Sequence, residues 1–158
     1  MIRLAEARDA AQIAALWSEM ILHTTSTFTA EQKTERAIGA MISERKGAVF
    51  VLELKGHFSG FVTFGPFRQG PGYAATVEHT IVVAADAQGA GHGRALMQRA
   101  EAAAREAGHH VMVAGISGTN DAGIRFHAHM GFVEVGRMPQ VGRKWGQWLD
   151  LVLMQKIL

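Results

Sequence analysis

The stretch that most constrains this chain runs from Thr76 to Ala107. It reads as an apolar strand (Thr76–Ala84), a short turn (Ala85–Ala87), the loop Gln88-Gly89-Ala90-Gly91-His92-Gly93-Arg94, and a long amphipathic helix. Glycine at every second position makes a poor helix interior, each costing about 1 kcal/mol relative to alanine. Where a strand hands over to a helix, the same glycines let the backbone approach a ligand closely. The helix N-terminus adds unpaired N–H groups and a partial positive charge, which suit a phosphate. The physical reading is a pyrophosphate cradle, set against a glycine-rich turn that only packs helix on sheet. A nucleotide P-loop needs Gly-Lys-Ser/Thr at the loop end, whereas Gly93 is followed by Arg94-Ala95. A dinucleotide fingerprint needs G-x-G-x-x-G and an acid about 20 residues on. Here the spacing is G-x-G-x-G, and the next strand ends in Gly115 without an acid.

At 158 residues the chain is one domain's worth, with enough apolar residues for a real core. No run approaches the roughly 18 apolar residues of a membrane helix, and Met1–Glu6 lacks the plan of a signal peptide. With no cysteine there are no disulfides, thiol nucleophiles or thiolate metal ligands, as a reducing cytoplasm permits. The net charge of +2 is small and unclustered, which argues against nucleic acid as a partner. The eight histidines show no zinc spacing: His109 and His110 adjoin on a strand, while His127 and His129 sit two apart on a helix. No metal is expected.

In chain order, Ile2–Leu4 is a first strand, and Asp9 with Gln12 forms a capping box for a helix to about Leu22. Ile13, Leu16, Trp17 and Met20 share its inner face. The polar segment His23–Thr29 follows, and Thr29 with Gln32 repeats the capping signature for a second helix to about Glu44. Two helices joined by a Thr-rich loop make either a pocket wall or an ordinary helical hairpin. Ala48–Leu54 and Phe58–Phe67 read as an antiparallel hairpin around Lys55-Gly56-His57. After the glycine loop come a helix, Gly91–Ala107, with Gly108 as a left-handed cap, and a strand, His110–Gly115. A helix Asp121–Met130 closes at Gly131, and strands Phe132–Met138 and Gln147–Ile157 flank a segment Pro139–Gly146. The order β-α-α-β-β-β-α-β-α-β-β predicts an α+β (mixed α/β) single domain over 1–158, a mostly antiparallel twisted sheet of about seven strands flanked by four helices.

The loop Gln88-x-x-Gly91-x-Gly93 resembles the Q/R-x-x-G-x-G/A loop with which GCN5-related N-acetyltransferases hold the pyrophosphate of acetyl-CoA. The element order is similar to theirs over the whole chain. Within that superfamily, Thr76-Val77-Glu78-His79-Thr80, Asn120, the helix end Phe126–Phe132 and the tail Met138–Asp150 resemble the phosphinothricin and methionine sulfoximine acetyltransferase group. The resemblance implies acetyl transfer from acetyl-CoA to the α-amino group of a small amino acid or analogue, and a homodimer. Two positions depart from the group: Val82, where it commonly carries Tyr, and Thr25-Ser26-Thr27-Phe28-Thr29, a loose match to its Thr-Ala-Thr-Phe-Glu. Both lie toward the expected substrate side.

Direct attack on a thioester needs a neutral amine, a place for the oxyanion and a fate for the thiolate. Glu78, alone among apolar neighbours, is the candidate base, acting through water; its competing reading is an ion pair with an arginine. Backbone from Ile81, Val82 and Val83 is expected to pair with the pantetheine amides, with the N–H of Val83 or its neighbour for the oxyanion. Gln88, Gly89, Ala90, Gly91, His92, Gly93 and Arg94 form the cofactor loop, and Asn120 either bonds the cofactor or caps its helix. His127 fills the slot where many relatives place a Tyr acid, with packing or cofactor contact as the alternative. The resemblance puts substrate contacts at Arg68, Gln69 and Gly70, where a guanidinium is suited to a carboxylate; the competing reading of Arg68 is a solvated loop arginine. Phe28, Lys144 and Trp145 wall the pocket or pack at a dimer edge.

Overall fold

The computed structural model describes residues 1–158. Its strands are β1 (Ile2–Leu4), β2 (Val49–Leu54), β3 (His57–Pro66), β4 (Thr76–Val83), β5 (Val111–Ser117), β6 (Val133–Lys144) and β7 (Gln147–Ile157). Its helices are α1 (Ala10–His23), α2 (Glu35–Glu44), α3 (His92–Glu106) and α4 (Asp121–His129). One seven-stranded sheet runs β1-β2-β3-β4-β5-β7-β6, antiparallel throughout except for the parallel pair β4–β5. Fold class and element order are those expected from the sequence.

Side chains alternate between the two faces of each strand, and this splits the core in two. Phe50 and Leu52 of β2 join Val62, Phe64, Val77, Leu96, Met97, Ala100 and Met112 beneath α3. Val49 and Val51 join Phe61, Val82, Ile13, Ala14 and Ile38 beneath α1 and α2. On β4, therefore, Val77 and His79 face the α3 side, while Glu78, Thr80 and Val82 face the α1–α2 side.

Three local readings are corrected. The box at the start of α1 uses Glu6 and Asp9 rather than Asp9 and Gln12, with Glu6 N–H donating to Asp9 Oδ2 at 2.7 Å. Arg3 claims the same carboxylate with two bonds of 2.8 and 2.9 Å, so Asp9 is committed to β1 and cannot cap α1. The second helix is capped by Thr34, which accepts from Ala37 N–H, and not by Thr29, whose hydroxyl accepts from Glu31 N–H in a local turn. Finally, Pro139–Lys144 is strand, and only Trp145-Gly146 forms the turn, both with positive φ. The ladder slips between Met138 and Gly142, so the bulge takes up Pro139, which has no N–H to give. Gln140, at φ 57, donates its N–H to Asp150 Oδ1 at 2.9 Å and closes the bulge.

Asp9 is 2 % exposed, and the Arg3 guanidinium holds its carboxyl below the ordinary range. A depressed folded pKa adds stability above the unfolded value, and that stability is lost as the pH falls below about 4. Asp9→Ala is expected to lower the unfolding free energy at neutral pH by about 2 kcal/mol, as for charged hydrogen bonds, and to flatten the acid dependence. Urea titrations of both proteins at several pH values check this.

Candidate active site

β4 and β5 pair only over Thr76–Glu78 against Val111–Val113. Beyond Glu78, β4 stays on β3 through Val83, while β5 stays on β7 through Ser117. The two strands thus part like a wedge, and the β5-facing backbone edge of Ile81–Val83 has no strand partner. A cleft of about 250 Å³ lies in the wedge. Trp17, Met20, Ser26, Thr27, Thr29, Lys33 and Thr80 line it from the α1–α2 side, and His79, Asn120 and His127 from the α4 side. Ile81, Ala114, Gly115 and Ile116 complete it.

The glycine loop sits beyond the end of β4. Gly89 (φ 80) and Gly91 (φ 83) adopt the left-handed conformation that disfavours side chains. Gly93 serves contact instead: a Cβ there would lie 3.4 Å from Phe126 of α4 and 3.8 Å from Val83. Gln88 folds back and donates from Nε2 to Val83 O at 3.0 Å. The first helical hydrogen bond within this turn is Ala95 N–H to Gly91 O, and Gly91 offers no side-chain cap. Amides of His92, Gly93 and Arg94 are thereby left at the positive end of a 15-residue helix, a ready anion site.

Glu78 projects from the opposite face of β4 to His79. One carboxyl oxygen would be 2.9 Å from a Cβ at Gly115, so the missing side chain of that glycine makes its room. It has no ion pair, which removes the competing structural reading. Its side chain still reaches solvent, yet the surrounding protein desolvates the carboxyl enough to raise its pKa. Asn120 caps α4, accepting from Gly123 N–H at 2.9 Å, while lining the cleft. His127 is buried and bonds Gly123 O and His79.

The other expected substrate contacts lie elsewhere. Arg68, Gln69 and Gly70 line a larger cavity of about 910 Å³ with Arg45, Tyr73 and Arg99. Lys144 is 3 % exposed, and its ammonium donates to Ile21 O and Thr24 O (both 2.6 Å), Thr27 O (3.1 Å) and Thr27 Oγ1 (3.0 Å). Phe28 lies over Gly142, where a Cβ would be 2.5 Å from the ring. Trp145 stands exposed at the β6–β7 turn. Lys144 and Phe28 therefore shape the cleft indirectly, by holding the Thr-rich loop whose Ser26, Thr27 and Thr29 form its wall. The sequence reading left the loop open between pocket wall and plain hairpin. It missed Trp17 and Met20, because the inner stripe of a helix serves core and cleft alike, and Lys33, which stands in the segment between α1 and α2. It gave His79 no role; nothing in a strand pattern distinguishes a buried histidine with a partner from a packing residue.

The profile of the acetyltransferase (GNAT) family matches residues 13–132. The chain belongs to this family. It is an acetyl-CoA-dependent N-acetyltransferase. L-amino acid N-acyltransferase MnaT of Escherichia coli is 40% identical over 157 residues, covering 98% of this chain and 91% of that protein. The L-methionine sulfoximine/L-methionine sulfone acetyltransferase of Salmonella typhimurium is also 40% identical, over 98% of this chain and 92% of its own length. Among solved structures, yncA of Salmonella typhimurium, determined with its cofactor acetyl-CoA, superposes with a TM-score of 0.96 at 40% identity, over 100% of this chain and 93% of that one. A phosphinothricin acetyltransferase from Sinorhizobium meliloti in complex with acetyl-CoA gives 0.94 at 29% identity, over 100% of this chain and 88% of that one.

Lys144→Met removes the group that ties two carbonyls of the Thr-rich segment, those of Thr24 and Thr27, to Ile21 O of α1. Amide exchange at residues 24–29 is expected to quicken, and KM for the amine to rise severalfold with KM for acetyl-CoA unchanged. Exchange mass spectrometry and steady-state kinetics check the pair of outcomes.

Proposed function

We propose that this enzyme acetylates the α-amino group of a small amino acid or analogue of the methionine sulfoximine, methionine sulfone or phosphinothricin type. The observation that carries the reading is the wedge itself, with an unpaired carboxylate on one face of β4 and an anion-binding helix end beyond it on the chain. The relatives named above support the substrate class.

In this reading the pyrophosphate of acetyl-CoA lies on the amides of Gly89–Arg94, with Gln88 bracing the loop. The pantetheine pairs with the free edge of Ile81–Val83, and Asn120 bonds the cofactor with the amide group that its cap leaves over. An α-amine is mostly protonated at neutral pH, with a pKa near 8, so Glu78 draws its proton through water. A raised pKa suits that task, since the carboxylate of a weaker acid is a stronger base. The neutral amine attacks, Val83 N–H meets the oxyanion, and the thiolate leaves beside His127. Arg68, Gln69 and Gly70 follow Phe67, whose N–H bonds Thr76 O at the start of β4. On the resemblance we place the substrate carboxylate at Arg68, which stands outside the cleft, with the amine turned toward Glu78. Lys33 lines the cleft itself, its ammonium 4.6 Å from the centre of the Trp17 ring, and is the second cation within reach.

We also propose a homodimer in the cytoplasm. Edge strand β6 and its turn expose Val133, Val135, Met138, Val141 and Trp145, with Trp148 of β7 beside them, an apolar patch that a second copy would cover. No helix is long and apolar enough to cross a membrane.

Glu78→Gln is expected to lower kcat/KM near neutral pH about 10²-fold, the lower end of general-base contributions. It should also abolish the limb along which wild-type activity falls as acid protonates the raised Glu78 carboxyl. Thiol release with the three named amino acids and a broad amine panel measures both, and silence on all of them defeats the reading. Arg68→Ala should raise KM for the amino acid about tenfold or more, consistent with loss of a charged hydrogen bond. The carboxyl-amidated substrate should fail with wild type; a loss seen with Lys33→Ala instead would move the carboxylate into the cleft.

A further inference from the structure

His79 of β4 and His127 of α4 are both buried and meet Nε2 to Nε2 at 2.9 Å. The second nitrogen of each ring faces a backbone carbonyl: His79 Nδ1 is 3.0 Å from Val113 O, and His127 Nδ1 is 2.7 Å from Gly123 O. A carbonyl only accepts, so each Nδ1 carries a proton. In two neutral rings both Nε2 atoms are then bare lone pairs, and at this separation they repel. One proton between them turns the contact into a hydrogen bond. Three contacts need three protons, while two neutral imidazoles bring two.

No carboxylate settles the account, and the other cation lining the cleft, Lys33, lies over the Trp17 ring on the α1–α2 side. Phe132 flanks both rings and Phe126 flanks His127, at centroid distances of 5.1–5.5 Å. From β5 and α4 come only the two carbonyls, and Glu78, the next residue along β4, lies on the opposite face. Burial works against the third proton, lowering the pKa of both rings, and the charge of one ring would oppose that of the other. At rest the pair is neutral and short of one proton, with a place built for it.

We propose that His79 and His127 act as one unit that binds a single proton between their Nε2 atoms and carries it from nitrogen to sulfur during acetyl transfer. This rests on the direct-attack reading above. Both rings line the cleft. Once the neutral amine has formed its C–N bond, the adduct carbon bears a protonated nitrogen, an oxyanion and sulfur. The pair takes one proton from that nitrogen. The C–S bond then breaks with its electrons going to sulfur, the carbonyl reforms, and the pair returns the proton to the thiolate. The products are the amide and the free thiol of the cofactor, the pair is neutral again, and no further reactant is consumed. His127 is the ring that exchanges with the adduct, a step in which its Nε2 turns from His79 toward the cleft, because its Nδ1 stays on Gly123 O. His79 is a positioning residue, supplying the lone pair that makes the shared proton tolerable.

Nitrogen NMR of histidine-labelled enzyme tests the pair without any activity. Both rings should be Nδ1–H tautomers at neutral pH, and acidification should load one proton onto the two together. An Nε2–H tautomer on either ring at neutral pH, or two independent titrations, overturns the proposal. A shared proton in an enzyme that acetylates no amine would overturn the direct-attack reading and leave the pair standing.

Kinetics tests the transfer. His79→Phe should lower kcat about tenfold, the effect of one hydrogen bond to a charged group, with KM for acetyl-CoA unchanged within about twofold. Loss of the acceptor disfavours charged His127, so any acid limb of kcat set by the pair should move to lower pH. His79→Gln, whose amide oxygen accepts, should recover part of the loss. An unmoved limb in both variants, or a loss of kcat that merely tracks a loss of folded protein in thermal melts, overturns the transfer role.

Discussion

Adjacent strands of a sheet satisfy one another's amides, and a buried amide without a partner is costly. β4 and β5 nevertheless separate after three pairs. Each is held on its other side for its full length, β4 by β3 and β5 by β7, so the sheet survives while its middle opens. The open edge of β4 is the part of this protein that wants a ligand's backbone-like groups, and pantetheine carries such groups. The proposed place of the cofactor follows from that opening.

The wedge also sorts the chemistry. Consecutive residues of a strand point to opposite faces, so Glu78 and His79 stand on the two sides of the sheet although they adjoin in sequence. The carboxylate faces the helices that bring the Thr-rich loop, where an amine would enter. The imidazole faces α4 and the end of the cofactor loop, where a thiolate would leave. Burial then tunes both in the direction the proposed chemistry would use: it raises the Glu78 carboxyl and lowers both imidazoles. In the proposed mechanism, one strand thereby carries the base on one face and the proton-sharing pair on the other.

Much of this was readable in the residues. The glycines of residues 89–93 marked a strand-to-helix junction built for close backbone approach, while the structure alone showed that Gly89 and Gly91 take positive φ and that Gly93 makes room for Phe126. Glu78 stood out as a lone acid in an apolar strand. Capping was less legible, since Asp9 and Thr29 carry the right groups but spend them elsewhere, on Arg3 and on Glu31 N–H. Pro139 read as a strand break because a proline withholds an N–H; the bulge that spares β6 depends on Asp150, ten residues away and on the next strand.

Local chemistry thus determined the order of elements, the cofactor loop and the candidate base, because each rests on backbone preferences or on a residue type out of keeping with its neighbours. Tertiary structure alone decided which polar side chains meet. Lys144 looks like a pocket cation in the sequence and is instead consumed by carbonyls more than a hundred residues away. His79 and His127 look like two unrelated histidines, 48 positions apart, and share one proton's place. Partnership of that kind is a matter of distance in space, which no spacing along a chain encodes.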